Sequence, residues 1–388
     1  MSRQPITILN IGLDRDLLSR ETRAEVQARQ LFYAQTLPAR LVHIVKAPYD
    51  TPEGQIDLDE KLSIVPCPVK HWSQFVTATI RLGTELLRRE SFDLIQVQEP
   101  FVSGLAGTYL ARRFDIPLVV GLYSDEIDNP VWLKERKLNR IANVVGKYVL
   151  RHAAATRTDS RAVADRVAGI GCRNLAYIPF LITNAVRLLV PSDCAGAIRD
   201  NLLAGFSGPL MLAVNRLEAE KNVPLMLRAL ATASLQLPGL VLAIAGTGRL
   251  ENFLRQEAER LLPGRVRWLG WVPGERMADY YQASDLMLIS SDRESAARVL
   301  FESMLAGTPV VSTATAGANE VIEEQVTGRI VPVGDERAFA CAVVELAQDP
   351  VRLTEMSERG RERMRQTVTA DAVVGQLREF YRMAMVSA

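Results

Sequence analysis

Glu294 and Glu302, with seven residues between them, stand where the apolar run 285–289 passes through a short polar loop into the helix-like stretch Arg298–Ala306. Carboxylates accept hydrogen bonds from hydroxyl groups, and eight residues of helix rise about 12 Å, roughly the reach of a nucleotide diphosphate. At that spacing one carboxylate can take a ribose and the other a transferred sugar. Two glutamates on a helix are more often solvated surface, so the reading needs a second feature. It lies upstream, where the apolar run Leu210–Val214 delivers Arg216 and Lys221 to an amphipathic helix expected over 223–235. Cations beside a helix N-terminus, whose free N–H groups and dipole favour anions, make a phosphate site.

The elements that must hold these groups follow from the pattern around them. After Ala306 come Gly307-Thr308-Pro309 and a β-branched run, Val310–Thr313, so the segment reads strand, loop, helix, turn, strand. In open parallel sheets, ligands bind outside the carboxyl ends of the strands, which is where Glu294 falls. The first half alternates strand-like runs at 6–11, 41–45, 62–65, 94–97 and 117–120 with helical patterns. This predicts an α/β chain with doubly wound, mainly parallel sheets. Gly246-Thr-Gly248 is open to a dinucleotide reading, but the third glycine position holds Glu251 and no acidic residue is suitably placed after it. A strand-to-helix turn that needs a permissive backbone accounts for the two glycines.

The two motifs, in this order and about 75 residues apart, resemble the donor domain of the retaining glycosyltransferases of family 4, the group 1 enzymes of GT-B fold. The resemblance runs from about Gly208 to Leu346 and includes 240–248, 266–273, 280–285, Gly317-Ala-Asn-Glu320 and Thr327-Gly328. It implies two Rossmann-like domains facing across a cleft: 1–190 for the acceptor, a linker at 191–207, 208–368 for the nucleotide-sugar donor, and a helix over 369–388 packed back on the first domain. It also implies that Arg216 and Lys221 hold the donor diphosphate, Glu302 the ribose and Glu294 the sugar hydroxyls. The backbone at Trp271 and Val272 frames the base, with Gly246 and Gly248 nearby. N–H groups of Ser295, Ala296, Ala297 and Arg298 approach the donor.

The chain departs from the family pattern at three places. Tyr123 stands where a histidine is expected after the strand at 118–120, with Asp125 expected to bind acceptor or shape the cleft. Gln96 and Gln98 replace histidines common in relatives, and 294–298 lacks the usual glycine. In the front-side mechanism attributed to the family the leaving diphosphate takes the acceptor proton, so a strong protein base is not obligatory. Tyr123 can still donate a hydrogen bond.

Lys+Arg 46 against Asp+Glu 45 excludes a nucleic-acid protein as the default, although 1–190 carries 25 basic and 20 acidic residues. Cys67, Cys172, Cys194 and Cys341, with His43, His71 and His152, show no paired short spacing, so neither a metal site nor a disulfide framework is expected. No apolar run reaches the roughly 18 residues of a membrane helix. A reducing cytoplasm is the expected compartment, with any attachment to the inner face of the membrane peripheral. The basic stretch 134–151 is expected to be a helix burying Leu138, Ile141, Val145 and Val149, either an ordinary surface helix or one that docks on anionic lipid.

The resulting expectation is a metal-independent retaining transferase that needs no cofactor. It would move a sugar from a nucleotide diphosphate, by general frequency UDP, to a sugar, lipid-linked or other hydroxyl acceptor in polysaccharide, glycolipid or cell-envelope synthesis. The alternatives are a degenerate sugar-nucleotide-binding homologue serving as partner or scaffold, and epimerase or phosphorylase chemistry on the same fold. Sequence leaves the oligomeric state open.

Overall fold

The computed structural model describes residues 6–14, 17–18, 23–37, 39–179, 182, 184–294, 298–368 and 370–386. They form two compact units, Met1–Pro179 with Ala370–Ala388, and Phe180–Thr369.

The first unit contains strands β1 (Ile6–Gly12), β2 (Ala39–Ala47), β3 (Ile56–Asp59), β4 (Leu62–Pro68), β5 (Leu94–Val97), β6 (Leu118–Leu122), β7 (Ala155–Thr158) and β8 (Leu175–Tyr177). They line up as β3-β4-β2-β1-β5-β6-β7-β8, parallel except for the β3–β4 edge pair. Strand order reverses beside β1, the arrangement of a doubly wound sheet. Leu9, Ile11, Val42, Ile44, Val97 and Val120 are fully buried against helices. The five expected strands are present. β7 reads Ala-Thr-Arg-Thr and gave no apolar signal, although all four of its residues are buried.

The second unit contains β9 (Leu210–Val214), β10 (Val241–Ala245), β11 (Val266–Gly270), β12 (Leu286–Ile289), β13 (Val310–Thr313) and β14 (Gly328–Val331). Its order is β11-β10-β9-β12-β13-β14, and every described pairing is parallel. Successive side chains of a strand point to opposite faces. In β9, Met211 and Ala213 accordingly join one core, while Leu210 and Leu212 join the other. A strand buried on both faces needs apolar residues throughout, which is why these strands read as unbroken hydrophobic runs.

The unit boundary differs from the expected one. Residues 191–207 are not a free linker, because Ala195–Leu203 is a helix of the second unit, with Leu202 buried in its core. Arg199 of that helix bridges to Asp285 at 2.8 Å and to the Ala283 carbonyl at 3.0 Å. The polar residues that looked like a linker either lie on that helix, as Arg199, Asp200 and Asn201 do, or flank it, as Ser192 does with its bonds to Asp279 and Gln282. The chain leaves the first unit at Pro179, and the Ala370–Val386 helix belongs to that unit, where Tyr381 Oη donates to Gln96 Oε1 at 2.7 Å.

Candidate functional site

In the second unit, the loops after β9, β10 and β12 lie side by side at the carboxyl ends of their strands. Gly246, which follows β10, has φ +135°, and a Cβ there would sit 1.9 Å from the Asn215 carbonyl oxygen. A Cβ on Gly248 would lie 2.5 Å from the Leu217 oxygen. Both glycines therefore serve backbone-on-backbone packing, sealed by Leu217 N–H to Thr247 O at 2.9 Å and Leu250 N–H to Leu217 O at 3.0 Å. Gly246 N–H also donates to the Gly270 carbonyl at 2.7 Å, which brings the end of β11 to the same rim. Trp271 follows there, 43% exposed, with Val272 half-buried beside it.

Lys221 and Glu294, 73 residues apart, meet as an ion pair with both side chains largely buried. A short 3₁₀ turn, Ala219–Lys221, ends at Asn222, whose φ of +43° reverses the chain into the Val223–Ala233 helix. Asn222 caps that helix at Leu225 N–H and donates to Asp292 Oδ1 at 2.8 Å. Further bonds fix the facing loop: Ser290 Oγ to Lys221 O at 2.9 Å, Ser291 Oγ to Glu294 Oε1 at 3.0 Å, and Gly317 N–H to Glu294 O at 3.0 Å. The pair is thus held by hydrogen bonds from the loops around it, to the backbone of both residues and to the Glu294 carboxylate. Arg216 stands apart, its side chain 74% exposed and bridged only loosely to Glu220 at 3.3 Å. It remains movable toward an anion.

Glu294 is a loop residue outside the Arg298–Ala306 helix, so the two glutamates do not share eight residues of helix. The 12 Å estimate does not apply. Ser295, Ala296 and Ala297 lie outside the described residues. Glu302 is 7% exposed, one turn inside the helix. Its carboxylate accepts from Tyr281 Oη at 3.1 Å and bridges to Arg298 Nε at 2.8 Å. Burial, and then the charge of Glu302, push the Tyr281 phenol well above its ordinary range, so it stays a donor. Tyr281 was not singled out from sequence, although it lies in the 280–285 stretch that carried the resemblance. Asn222, Ser291 and Asp292 were missed as well; the polar run closing an apolar strand was the available signal.

The first unit holds the other two expected residues. Tyr123 folds back over its own strand: a Cβ on Gly121 would lie 2.4 Å from the Tyr123 ring. Arg157 of β7, buried, stacks over that ring at 5.6 Å, and its Nη2 donates to the carbonyl of Pro179 at 3.2 Å. Burial raises the phenol pKa of Tyr123. Asp125 is fully engaged, paired with Arg166 and accepting from Asn129 Nδ2 at 3.1 Å, so it pins the loop after β6. Arg157 escaped sequence reading because a lone arginine in a short polar run looks solvated.

Comparison with known proteins identifies the family and the fold. Residues 197–363 match the family model for glycosyl transferases group 1, and residues 22–180 match the model for the glycosyl transferase 4-like domain. The lipopolysaccharide core biosynthesis glycosyltransferase LpsE of Rhizobium meliloti is 27% identical, over 76% of this chain and 82% of that protein. The alpha-monoglucosyldiacylglycerol synthase of Streptococcus pneumoniae is 24% identical over 78% and 69%. Among solved structures, the sucrose-phosphate synthase of Thermosynechococcus elongatus superposes with a TM-score of 0.83 at 20% identity, covering 99% of this chain and 100% of that one. HepE of Anabaena, crystallised with UDP and glucose, superposes with a TM-score of 0.76 at 18% identity, over 96% and 98%. With one group 1 model on the second unit, the 4-like model on the first, and the GT-B fold across both, the chain belongs to the family 4, group 1 glycosyltransferases.

Proposed function

We propose that this glycosyltransferase is a retaining, metal-independent enzyme that takes its sugar from a nucleotide diphosphate, UDP in the first instance, and delivers it to a hydroxyl acceptor of an envelope glycan, polysaccharide or glycolipid. The observation that carries the reading is the Lys221–Glu294 pair, with buried Glu302 on the neighbouring helix. On donor binding, Lys221 turns to the diphosphate and is joined by the exposed Arg216; Glu294, released, accepts hydrogen bonds from the sugar. Glu302, already oriented by Tyr281 and Arg298, takes the ribose, and the rim at Gly246, Gly248, Trp271 and Val272 receives the base.

The bond from the anomeric carbon to the phosphate oxygen breaks as the acceptor oxygen bonds on the same face, and the acceptor proton passes to the departing phosphate oxygen. The barrier falls through positioning and through stabilising the charge that develops on the diphosphate. The complexes of HepE with UDP and with UDP-glucose support UDP, and the lipopolysaccharide and glycolipid names of the relatives support an envelope acceptor.

A second reading, sugar-nucleotide binding without transfer, draws on the first unit, where Asp125 is held by Arg166 and Tyr123 is stacked against Arg157. NMR of products formed from a panel of nucleotide-sugars, with and without EDTA, separates the two. The expected product is an α-glycoside from an α-donor, formed equally in EDTA. Glu294→Ala is expected to lower turnover about a hundredfold or more while still binding the nucleoside diphosphate. Unchanged turnover in that variant would sink the assignment, and bound donor without product in the wild type would establish the second reading.

A further inference from the structure

The helix Lys137–His152 buries one apolar edge in the core and leaves a second one exposed. Its buried residues are Asn143, Gly146, Val149 and Leu150. Leu138 is 52% exposed, Ile141 63%, Val144 68% and Tyr148 39%. These four recur every three or four residues and so form one stripe along the outside of the helix. The inward face is fixed by Val149 and Leu150, fully buried in the core, and by small and polar groups beside them. A Cβ on Gly146 would lie 2.4 Å from Ile127 Cδ1, and Asn143 exchanges hydrogen bonds with Asp128, accepting from its N–H at 2.9 Å and donating to its carboxylate at 2.8 Å. The helix is therefore locked with its second apolar edge in water.

The charge around that edge is predominantly positive. The helix carries Lys137, Arg140, Lys147 and Arg151 and no carboxylate. Lys134 and Arg136 lead into it, exposed, and the single acid between Asn129 and Thr158 is Glu135. Arg112 of the neighbouring helix adds a further cation, donating to Tyr148 Oη at 2.7 Å. Lys147 is drawn to Asp128 at 2.6 Å, leaving the other cations to flank the stripe. An exposed row of branched aliphatics marks an interaction surface rather than ordinary surface.

We propose that this face docks the first unit on an anionic bilayer, with Ile141 and Val144 entering the acyl boundary and the flanking lysine and arginine side chains meeting lipid phosphates. Charge complementarity selects this occupant: apolar residues at the centre of a basic helix face fit the interfacial mode of membrane binding. No helix among the described residues is long and apolar enough to cross a membrane, so the attachment is peripheral. The inference stands apart from the transfer chemistry, since none of these residues belongs to the site in either unit.

The test is co-sedimentation of the full chain with vesicles of phosphatidylcholine alone and of equal parts phosphatidylcholine and phosphatidylglycerol. Raising the salt from about 0.01 M to about 1 M shortens the Debye length from roughly 30 Å to roughly 3 Å. Binding to the anionic vesicles only, lost at high salt, is expected. The double variants I141S/V144S and K137Q/R140Q alter exposed positions, so thermal unfolding should be unchanged while each weakens partitioning roughly tenfold. Absence of binding, equal binding to both vesicles, or wild-type binding by either double variant overturns the proposal. So does a dimer in sedimentation equilibrium that I141S/V144S dissociates, because a second copy would then be the occupant.

Discussion

At the scale of single residues, several ionisable groups are held in places where burial outweighs hydration. His43 in β2 is 3% exposed, its Nε2 has no hydrogen-bond partner, and burial lowers its pKa from 6.5 to about 4. A folded-state pKa below the unfolded one means that the unfolded chain binds the extra proton as pH falls from 6.5 toward 4. Above about pH 7 the group contributes nothing to the pH dependence; below that, stability is lost until His43 itself protonates near pH 4. The loss at pH 5 is about 2 kcal/mol. Urea midpoints at pH 8 and pH 5 should therefore converge in His43→Leu relative to wild type, and an unchanged gap would show that other groups set it. The partners of Glu302 and Glu294 belong to this scale too. Glutamates at 294 and 302 and cations at 216 and 221 could be named from type and spacing, because those are local properties. Tyr281 could not be assigned to Glu302, nor Arg166 to Asp125, because those contacts join residues 21 and 41 apart through tertiary structure.

Elements were most legible where burial on both faces forces an unbroken apolar run, as in β9, β10 and β12. β7 shows the opposite case: Thr156, Arg157 and Thr158 are buried, but their polarity hides the strand from a hydrophobic pattern. The same logic explains the misplaced linker. Residues 191–207 carry polar side chains on a packed helix and beside it, and anchor Leu202, 6% exposed. Leu202→Ala is accordingly expected to cost about 2–5 kcal/mol in denaturant unfolding of the full chain. A change under about 0.5 kcal/mol, typical of a solvated linker, would restore the original boundary. Periodicity likewise revealed an amphipathic helix within 134–151 but misjudged its inward face: Val149 is buried and Val145 half-buried as expected, whereas Leu138 and Ile141 are exposed. Gly146 and Asn143 help to decide that face, one by close approach to Ile127 and the other through its bonds to Asp128.

Across the whole molecule, the chain builds one mainly parallel sheet, leaves it at Pro179 to build a second, parallel one, and returns with Ala370–Val386 to the first unit. The proposed donor site lies in the second unit, where the loops after β9 and β12 bring Lys221 and Glu294 together. Ligand binding to the native state shows directly in calorimetry and raises its stability. The decisive measurement is calorimetric titration of UDP, GDP and ADP into the wild type and Lys221→Ala without added metal. The expected result is selective binding of one nucleoside diphosphate, UDP, weakened roughly ten- to hundredfold in Lys221→Ala by the loss of a charge-assisted phosphate contact. Silence from all three nucleotides, or equal affinity in the variant, would contradict a donor site at Lys221 and Glu294.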